Sequence, residues 1–258
     1  MMLKVVILCG GLGMRLREET EFRPKPMVEI GEVPILWHIM KIYSHFGFKD
    51  FILCLGYKGN VIKEYFSNYK IMNCDFSINL GSGETKICSK VNNEEWNVWL
   101  IDTGYDTMTG GRIKRIEKYI EGDTFLATYG DAVADINITE LLKSHKQKNK
   151  IATLTSVTPV SRYGNLKIDG NQIVTSFKEK PPLADFVNGG FFVFRKDIFD
   201  YLTGDDCVLE QMPLEQLSKE KQLSAFIHLG FWQCMDTYRD FMLLNNIWRS
   251  GSAPWKVW

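Results

Sequence analysis

Apolar residues in this chain come in short unbroken runs and in longer stretches where they return every three or four positions. The first run, Leu3-Lys4-Val5-Val6-Ile7-Leu8, is β-branched and mostly apolar. It reads as a strand buried on both faces, the usual opening of a parallel α/β sheet. After Pro34, residues Ile35, Ile39, Ile42 and Phe46 repeat at helical spacing, and Gly47 closes the run as a C-cap. Residues 51–55 form a second apolar run, ended by Gly56-Tyr57-Lys58-Gly59, and Asn60 is placed to cap a helix carrying Ile62, Tyr65, Phe66 and Tyr69. Strand, helix, strand and helix in this order predict a Rossmann-like, doubly wound, mostly parallel sheet.

From Cys74 to about Asp102 the pattern changes. Phe76, Ile78 and Leu80 alternate with polar residues, Gly81-Ser82-Gly83 turns, and 96–101 is a further strand. This stretch is expected to be a small antiparallel excursion, an arm suited to subunit contacts. The α/β alternation then resumes. A polar, glycine-rich loop over 102–112 feeds a helix, and the strand 124–129 ends in Gly130-Asp131. Helix 138–147 and strand 151–157 follow, and Asp169-Gly170 signals a two-residue hairpin. Asn188-Gly189-Gly190 interrupts a strong strand ending at Phe194, and two helical patterns complete the chain. No internal repeat or low-complexity linker divides residues 1–258, so one domain is expected.

Charge narrows the function. Lys plus Arg and Asp plus Glu both number 31 in 258 residues, which disfavours nucleic-acid and membrane-surface roles. No apolar stretch reaches bilayer length, and the N-terminal run is too short and lacks the cleavage site of a signal peptide. The six cysteines are scattered without a C-x-x-C pair. They read as reduced thiols, and the expected compartment is the cytoplasm. The four histidines show no metal-ligand spacing, and His38 and His45 read as structural.

Cations and glycines supply the chemistry. Cys9-Gly10-Gly11-Leu12-Gly13-Met14-Arg15 follows the first strand, and Arg23-Pro24-Lys25-Pro26 holds a second cation on a stiff segment. Successive backbone N–H groups in such a loop make an anion site, and a guanidinium suits phosphate oxygens. The dinucleotide pattern G-x-G-x-x-G fails at Leu16, and no Gly-Lys-Ser/Thr of a P-loop is present. A nicotinamide-dependent oxidoreductase is thereby disfavoured. Asp131 ends a strand where open α/β sheets place ligands. Asp236 opens a helical run, where capping is its simplest role. Lys180, between Glu179 and Pro181, is either a solvated turn charge or a point charge for a second phosphate. Asn188-Gly189-Gly190 inside a strand suggests close approach of a ligand.

The loop G-G-x-G-x-R-L with P-K-P resembles the signature of the sugar-1-phosphate nucleotidylyltransferase family. Tyr129-Gly130-Asp131, Phe177-Lys178-Glu179-Lys180-Pro181 and Val187-Asn188-Gly189-Gly190 extend the likeness along nearly the whole chain. Met108-Thr109-Gly110-Gly111-Arg112 and Gly230-Phe231-Trp232-Gln233 with Met235-Asp236-Thr237 look like the cytidylyltransferase branch. The resemblance implies transfer of a cytidylyl group from CTP to glucose 1-phosphate, with pyrophosphate released. It puts Arg15 on the leaving pyrophosphate, Lys25 on the α-phosphate, and Mg2+ on Asp131 and Asp236. Leu8, Cys9, Gly10, Gly11, Leu12, Gly13 and Met14 would face the nucleotide, with Thr107, Gly130 and Arg112, the last reading the pyrimidine. Glu179, Lys180, Asn188 and Gly189 would take the sugar phosphate.

The family usually has threonine where Met14 stands and glycine where Ala132 stands. It also suggests a homo-oligomer, a hexamer. No serine, histidine or cysteine sits in an activated nucleophile setting, so direct transfer is expected. The rivals are a thymidylyl- or uridylyltransferase and a non-catalytic sugar-nucleotide-binding subunit. The chain keeps Arg15 and Lys25, cations that such subunits often lose.

Overall fold

The computed structural model describes residues 3–89, 94–160, 163–179 and 185–258. In chain order the main elements are strand β1 (Lys4–Leu8), helix α1 (Ile35–His45), β2 (Asp50–Leu55), α2 (Gly59–Ser67), β3 (Asn97–Asp102) and α3 (Thr109–Arg115). They continue as β4 (Thr124–Tyr129), α4 (Ile138–Lys148), β5 (Ala152–Val157), β6 (Val187–Arg195), α5 (Met212–Lys219), β7 (Leu223–Ile227) and α6 (Tyr238–Arg249). The strands form one seven-stranded sheet in the order β7-β5-β6-β4-β1-β2-β3. Only β6 runs antiparallel to its neighbours, β5 and β4. The expected mostly parallel, doubly wound α/β sheet is therefore present.

Alternation along β1 explains why the sheet sits between two layers. Val5 and Ile7 pack with Ile35, Ile39 and Tyr43 on one face. Val6 packs on the other with Ile52, Phe125 and Phe194. A run apolar at every position is what a strand covered on both sides requires. Helix α1 ends as its glycine predicts. Gly47 has φ +86°, and the N–H of Phe48 reaches the Tyr43 carbonyl at 3.1 Å while that of Gly47 reaches Ser44 at 2.9 Å. His38 is structural, its Nε2 within 2.9 Å of the Ile30 carbonyl. Burial lowers its pKa to about 4, so the ring is neutral.

Three local expectations need correction. Lys58 takes a left-handed φ of 49° and α2 begins at Gly59, so Asn60 lies inside the first turn rather than capping it. Among the described residues the antiparallel excursion is only the hairpin Phe76–Ile78 with Thr85–Ile87. Asn97–Asp102 leaves it and pairs in parallel with β2 from Asp50↔Asn97 to Leu55↔Asp102. It can do so because Val98 and Leu100 meet one core layer and Trp99 and Ile101 the other. The turn at Asp169 is longer than two residues. Its carboxylate accepts from the N–H groups of Asn171 and Ile173, both at 2.9 Å, and Gln172, not Gly170, has positive φ. Gly189 and Gly190, where close approach of a ligand is expected, also answer to packing. A Cβ on Gly190, at φ +80°, would lie 2.4 Å from the Tyr129 ring, and one on Gly189 would lie 2.8 Å from Val157.

The site is positioned by topology. From β1 the chain builds β2 and β3 on one side, then crosses back to lay β4 on the other. The carboxyl ends of β1 and β4 thus flank a switch point, where a crevice must open. Leu8 and Tyr129 are paired there, and the Gly130 N–H donates to the Leu8 carbonyl at 3.1 Å.

Arg112, on α3, fastens the loops around this crevice. Only 4% of it is exposed. Its terminal N–H groups donate to the carbonyls of Leu55 (3.0 Å), Gly104 (2.7 Å), Gly10 (3.0 Å) and Tyr105 (3.2 Å), and to Thr103 Oγ1 (2.9 Å). A Cβ on Gly10 would stand 2.2 Å from Arg112 Cζ, and one on Gly56 2.5 Å from Nη1. Both residues are glycine because the guanidinium lies against them. The terminal donors of Arg112 are held by the end of β2 and by the loops after β1 and β3, and the side chain also lines the crevice where it is expected to meet a pyrimidine. Replacing Arg112 by Met strands several buried carbonyls and should cost about 3–5 kcal/mol. Urea unfolding measures this; an arginine used only to read a base would leave the midpoint unchanged.

Candidate functional site

At the switch point a cavity of about 370 Å³ is lined by the glycine loop, Arg15, Lys25, Thr107, Arg112, Tyr129 and Asp131. Gly13 has φ +65°, and a Cβ there would come within 2.8 Å of Thr20 and 3.2 Å of Lys25. The left-handed turn therefore folds the loop back onto the segment that carries Lys25. Thr20 Oγ1 secures it by donating to the carbonyls of Gly13 and Leu16 at 3.1 and 3.0 Å. At Gly11 a Cβ would meet nothing within 4 Å. There the missing side chain leaves the loop backbone open to approach. Leu8, Cys9, Gly10 and Met14 also line the cavity, whereas Leu12 lines a separate cleft with Tyr57. Burial first, then the neighbouring Cys54, pushes the Cys9 thiol well up, so it stays protonated.

Lys25, Asp131 and Asp236 converge. The Lys25 ammonium, on a turn between two prolines, lies 2.6 Å from Asp131 Oδ2 and is hydrogen-bonded to Asp236 Oδ1. Arg15 reaches the other oxygen of Asp236 at 2.8 Å. The carboxylates meet because Ala132–Ala134 pairs antiparallel with Trp232–Cys234, with Cys234 opposite Ala132. The Met235 N–H then donates to the Asp131 carbonyl at 2.8 Å. Ala132 is 3% exposed within this ladder, so its methyl is absorbed by the core.

Asp236 is not the helix cap expected from its place in the sequence. Thr237 caps α6 in a capping box with Asp240. That leaves both Asp236 oxygens for Lys25 and Arg15. Burial pushes the Asp236 carboxyl up, but the hydrogen bond and charge of Lys25, with the charge of Arg15, outweigh it and hold the group below its usual range. Burial likewise opposes the charge on Lys25, while Asp131 and Asp236 raise its pKa overall. The Cys234 thiol beside them is pushed up to about 12 by burial and then by Asp236 and Asp131, so it is no nucleophile at neutral pH.

A second cavity of about 290 Å³ adjoins the first and shares Arg15, Tyr129 and Asp131 with it. Its other walls include Asn188, Gly189, Trp232 and Asp236. The Asn188 amide donates to Tyr129 Oη at 3.3 Å, and the Trp232 indole donates to the Gly189 carbonyl at 2.8 Å. Glu179 is exposed after the strand Val174–Lys178 and lines neither cavity. Lys180 lies outside the described residues. Tyr129, shared by both cavities, and Trp232 were not picked out as site residues from sequence. Their motifs carried the signal, but aromatic residues beside strand ends read as core.

The residues 4–233 match the family model described as nucleotidyl transferase. The chain is 51% identical over 258 residues to the glucose-1-phosphate cytidylyltransferase of Salmonella typhi, covering 99% of this chain and 100% of that protein. A probable glucose-1-phosphate cytidylyltransferase of Bacillus subtilis is 43% identical, with 99% and 100% covered. Among solved structures, HddC from Yersinia pseudotuberculosis superposes with a TM-score of 0.70 at 26% identity, over 96% of this chain and 100% of that one. The switch-point crevice, its glycine loop and its cations thus belong to an enzyme of the nucleotidyl transferase family, in the branch of the glucose-1-phosphate cytidylyltransferases.

Proposed function

We propose that the chain transfers a cytidylyl group from CTP to α-D-glucose 1-phosphate, giving CDP-glucose and pyrophosphate. The observation that carries this reading is the cluster of Arg15, Lys25, Asp131 and Asp236 where two adjoining cavities meet. A reaction that joins two phosphate-bearing substrates needs such a meeting point. The larger cavity takes CTP, its phosphates along the glycine loop. The smaller takes the sugar phosphate, with Asn188 and Gly189 on its wall.

In this reading a sugar-phosphate oxygen attacks the α-phosphorus of CTP in line, and pyrophosphate leaves from the opposite side. Little covalent work falls to the protein, so catalysis is positioning and charge stabilisation. Lys25 stabilises the charge growing on the α-phosphate. Arg15, whose side chain is 72% exposed, accompanies the departing pyrophosphate. Lys180 is assigned to the sugar phosphate by motif alone. Asp131 and Asp236 offer hard oxygen donors, and the pair fits magnesium, which takes one or two carboxylates and completes its shell with phosphate and water. Bound there, the ion would neutralise phosphate charge. Among the described residues no helix is long and apolar enough to cross a membrane, and the reading places the enzyme in the cytoplasm as one domain. Two hairpins expose Ile78 and Leu80, and Ile168 and Phe177. Those faces support assembly of the chain with copies of itself.

A pyrophosphate-release assay across CTP, UTP and dTTP with a panel of sugar 1-phosphates tests the substrates. CTP with glucose 1-phosphate should exceed the other pairs by at least ~10-fold in kcat/KM, roughly the worth of 1.4 kcal/mol. Preference for UTP or dTTP would make it a different transferase, and binding without turnover a regulatory subunit. Excess EDTA should abolish turnover. Asp131→Asn and Asp236→Asn should each lower kcat by roughly 10²–10³-fold without unfolding the protein. Full rates in EDTA, or in both variants, would refute the metal assignment.

A further inference from the structure

Between the two cavities stands the Tyr129 ring, which lines both. Several neighbours bear on it. The ring fits against Gly190, where any Cβ would collide with it, and packs edge-on against Phe192 at 5.6 Å between centroids. Its phenol donates a hydrogen bond to one carboxylate oxygen of Glu210. The other oxygen of Glu210 accepts from Thr109 Oγ1 at 2.7 Å. Thr109 lines the larger cavity and opens α3, the helix that carries Arg112.

Glu210 belongs to a strap, residues 204–211, laid across the start of α3. The Met108 N–H donates to the Asp205 carbonyl at 2.8 Å, and the Gly110 N–H to the Cys207 carbonyl at 2.9 Å. The Leu209 N–H donates to Thr109 Oγ1 at 2.9 Å. A Cβ on Gly110 or Gly111 would lie 2.7 Å from Cys207 or Asp205, so the paired glycines of the Met-Thr-Gly-Gly-Arg motif make room for the strap. The strap reaches the shared wall through Glu210 and its bond to Tyr129.

We propose that Glu210 is a positioning residue that couples the two substrate cavities, its carboxylate tying Tyr129 to Thr109 so that the two substrates bind with positive cooperativity. The inference rests on the substrate reading given above. A sugar phosphate that fixes Tyr129 fixes Glu210, and with it Thr109, so the nucleotide meets a wall already in place. Coupling of this kind is reciprocal. Both hydroxyls donate to the carboxylate; a glutamine puts an NH2 donor where one acceptor stood, so one of the two bonds must reverse and both lose their charge assistance.

Calorimetry on the full chain with magnesium present tests it, using glucose 1-phosphate and a CTP analogue with a methylene bridge between the α- and β-phosphorus. In the wild type, saturating glucose 1-phosphate should tighten analogue binding by at least ~5-fold. In Glu210→Gln the ratio should fall below about 2-fold, with each binary Kd within roughly 3-fold of wild type. Tyr129→Phe, which removes the hydroxyl that donates to Glu210 and accepts from Asn188, should lose the coupling as well. A merely structural role for Glu210 would weaken both binary affinities and leave their ratio intact, and that result would overturn the proposal. So would a wild-type ratio of one. If the wild type released no pyrophosphate from CTP and glucose 1-phosphate, the substrate reading would fall and take this inference with it. An unchanged ratio in an active enzyme removes the inference alone.

Discussion

One ammonium holds the site together. Lys25 stands between Asp131 and Asp236, and those residues come from three separate parts of the chain, 106 and 211 positions from the lysine. Lys25 and Asp236 are each only 9% exposed. Removing one partner of a buried pair costs roughly 3–5 kcal/mol, because the other charge is left without compensation. The ladder between 132–134 and 232–234, the turn of the glycine loop and the start of α6 are therefore tied to this contact. The same charges give the crevice its chemistry. An anionic triphosphate offers the lysine another partner, and a divalent cation offers the carboxylates one. A site built from an internal ion pair is thus organised before substrate arrives, and its charges are already those that phosphoryl transfer needs.

Arg112 is the second buried cation, and its task differs. Its charge is matched by carbonyl dipoles from the end of β2 and from the loops after β1 and β3. Five N–H donors in a rigid fork suit an arginine to this use, where a lysine would satisfy fewer carbonyls. The arrangement also explains why so many glycines surround the crevice. Gly10 and Gly56 admit the guanidinium, Gly190 admits Tyr129, and Gly110 and Gly111 admit the strap. Gly11 alone of the first loop's glycines has open space where a side chain would stand.

Much of this was legible in the sequence. The buried strands show as apolar runs because both faces of the sheet are covered, and the glycine loop stands out because its cations follow at short range. Lys25, Arg15 and Asp131 were found by that logic. The meeting of Asp131 with Asp236 was implied by the family resemblance alone, since it depends on a short ladder between residues a hundred positions apart. The structural task of Arg112 was hidden for a related reason. An arginine near glycines looks like ligand chemistry until the carbonyls that surround it are known. Glu210 gave no signal, lying in a stretch without periodicity, its carboxylate engaged by two hydroxyls. The turn at Asp169 went the other way, where a local rule for hairpins lost to the side chain's own hydrogen bonds.

The central claim is that Lys25 binds these carboxylates as an ion pair. Titration of the Asp236 side-chain carboxyl by carbon-detected NMR, in the wild type and in Lys25→Met, tests it directly. In the wild type the group should titrate below the ordinary aspartate value of 3.8, because Lys25 and Arg15 outweigh the opposing effect of burial. With the lysine gone, burial gains the upper hand and the midpoint should rise. A wild-type midpoint at or above the ordinary value, or one that does not move in Lys25→Met, would contradict the account.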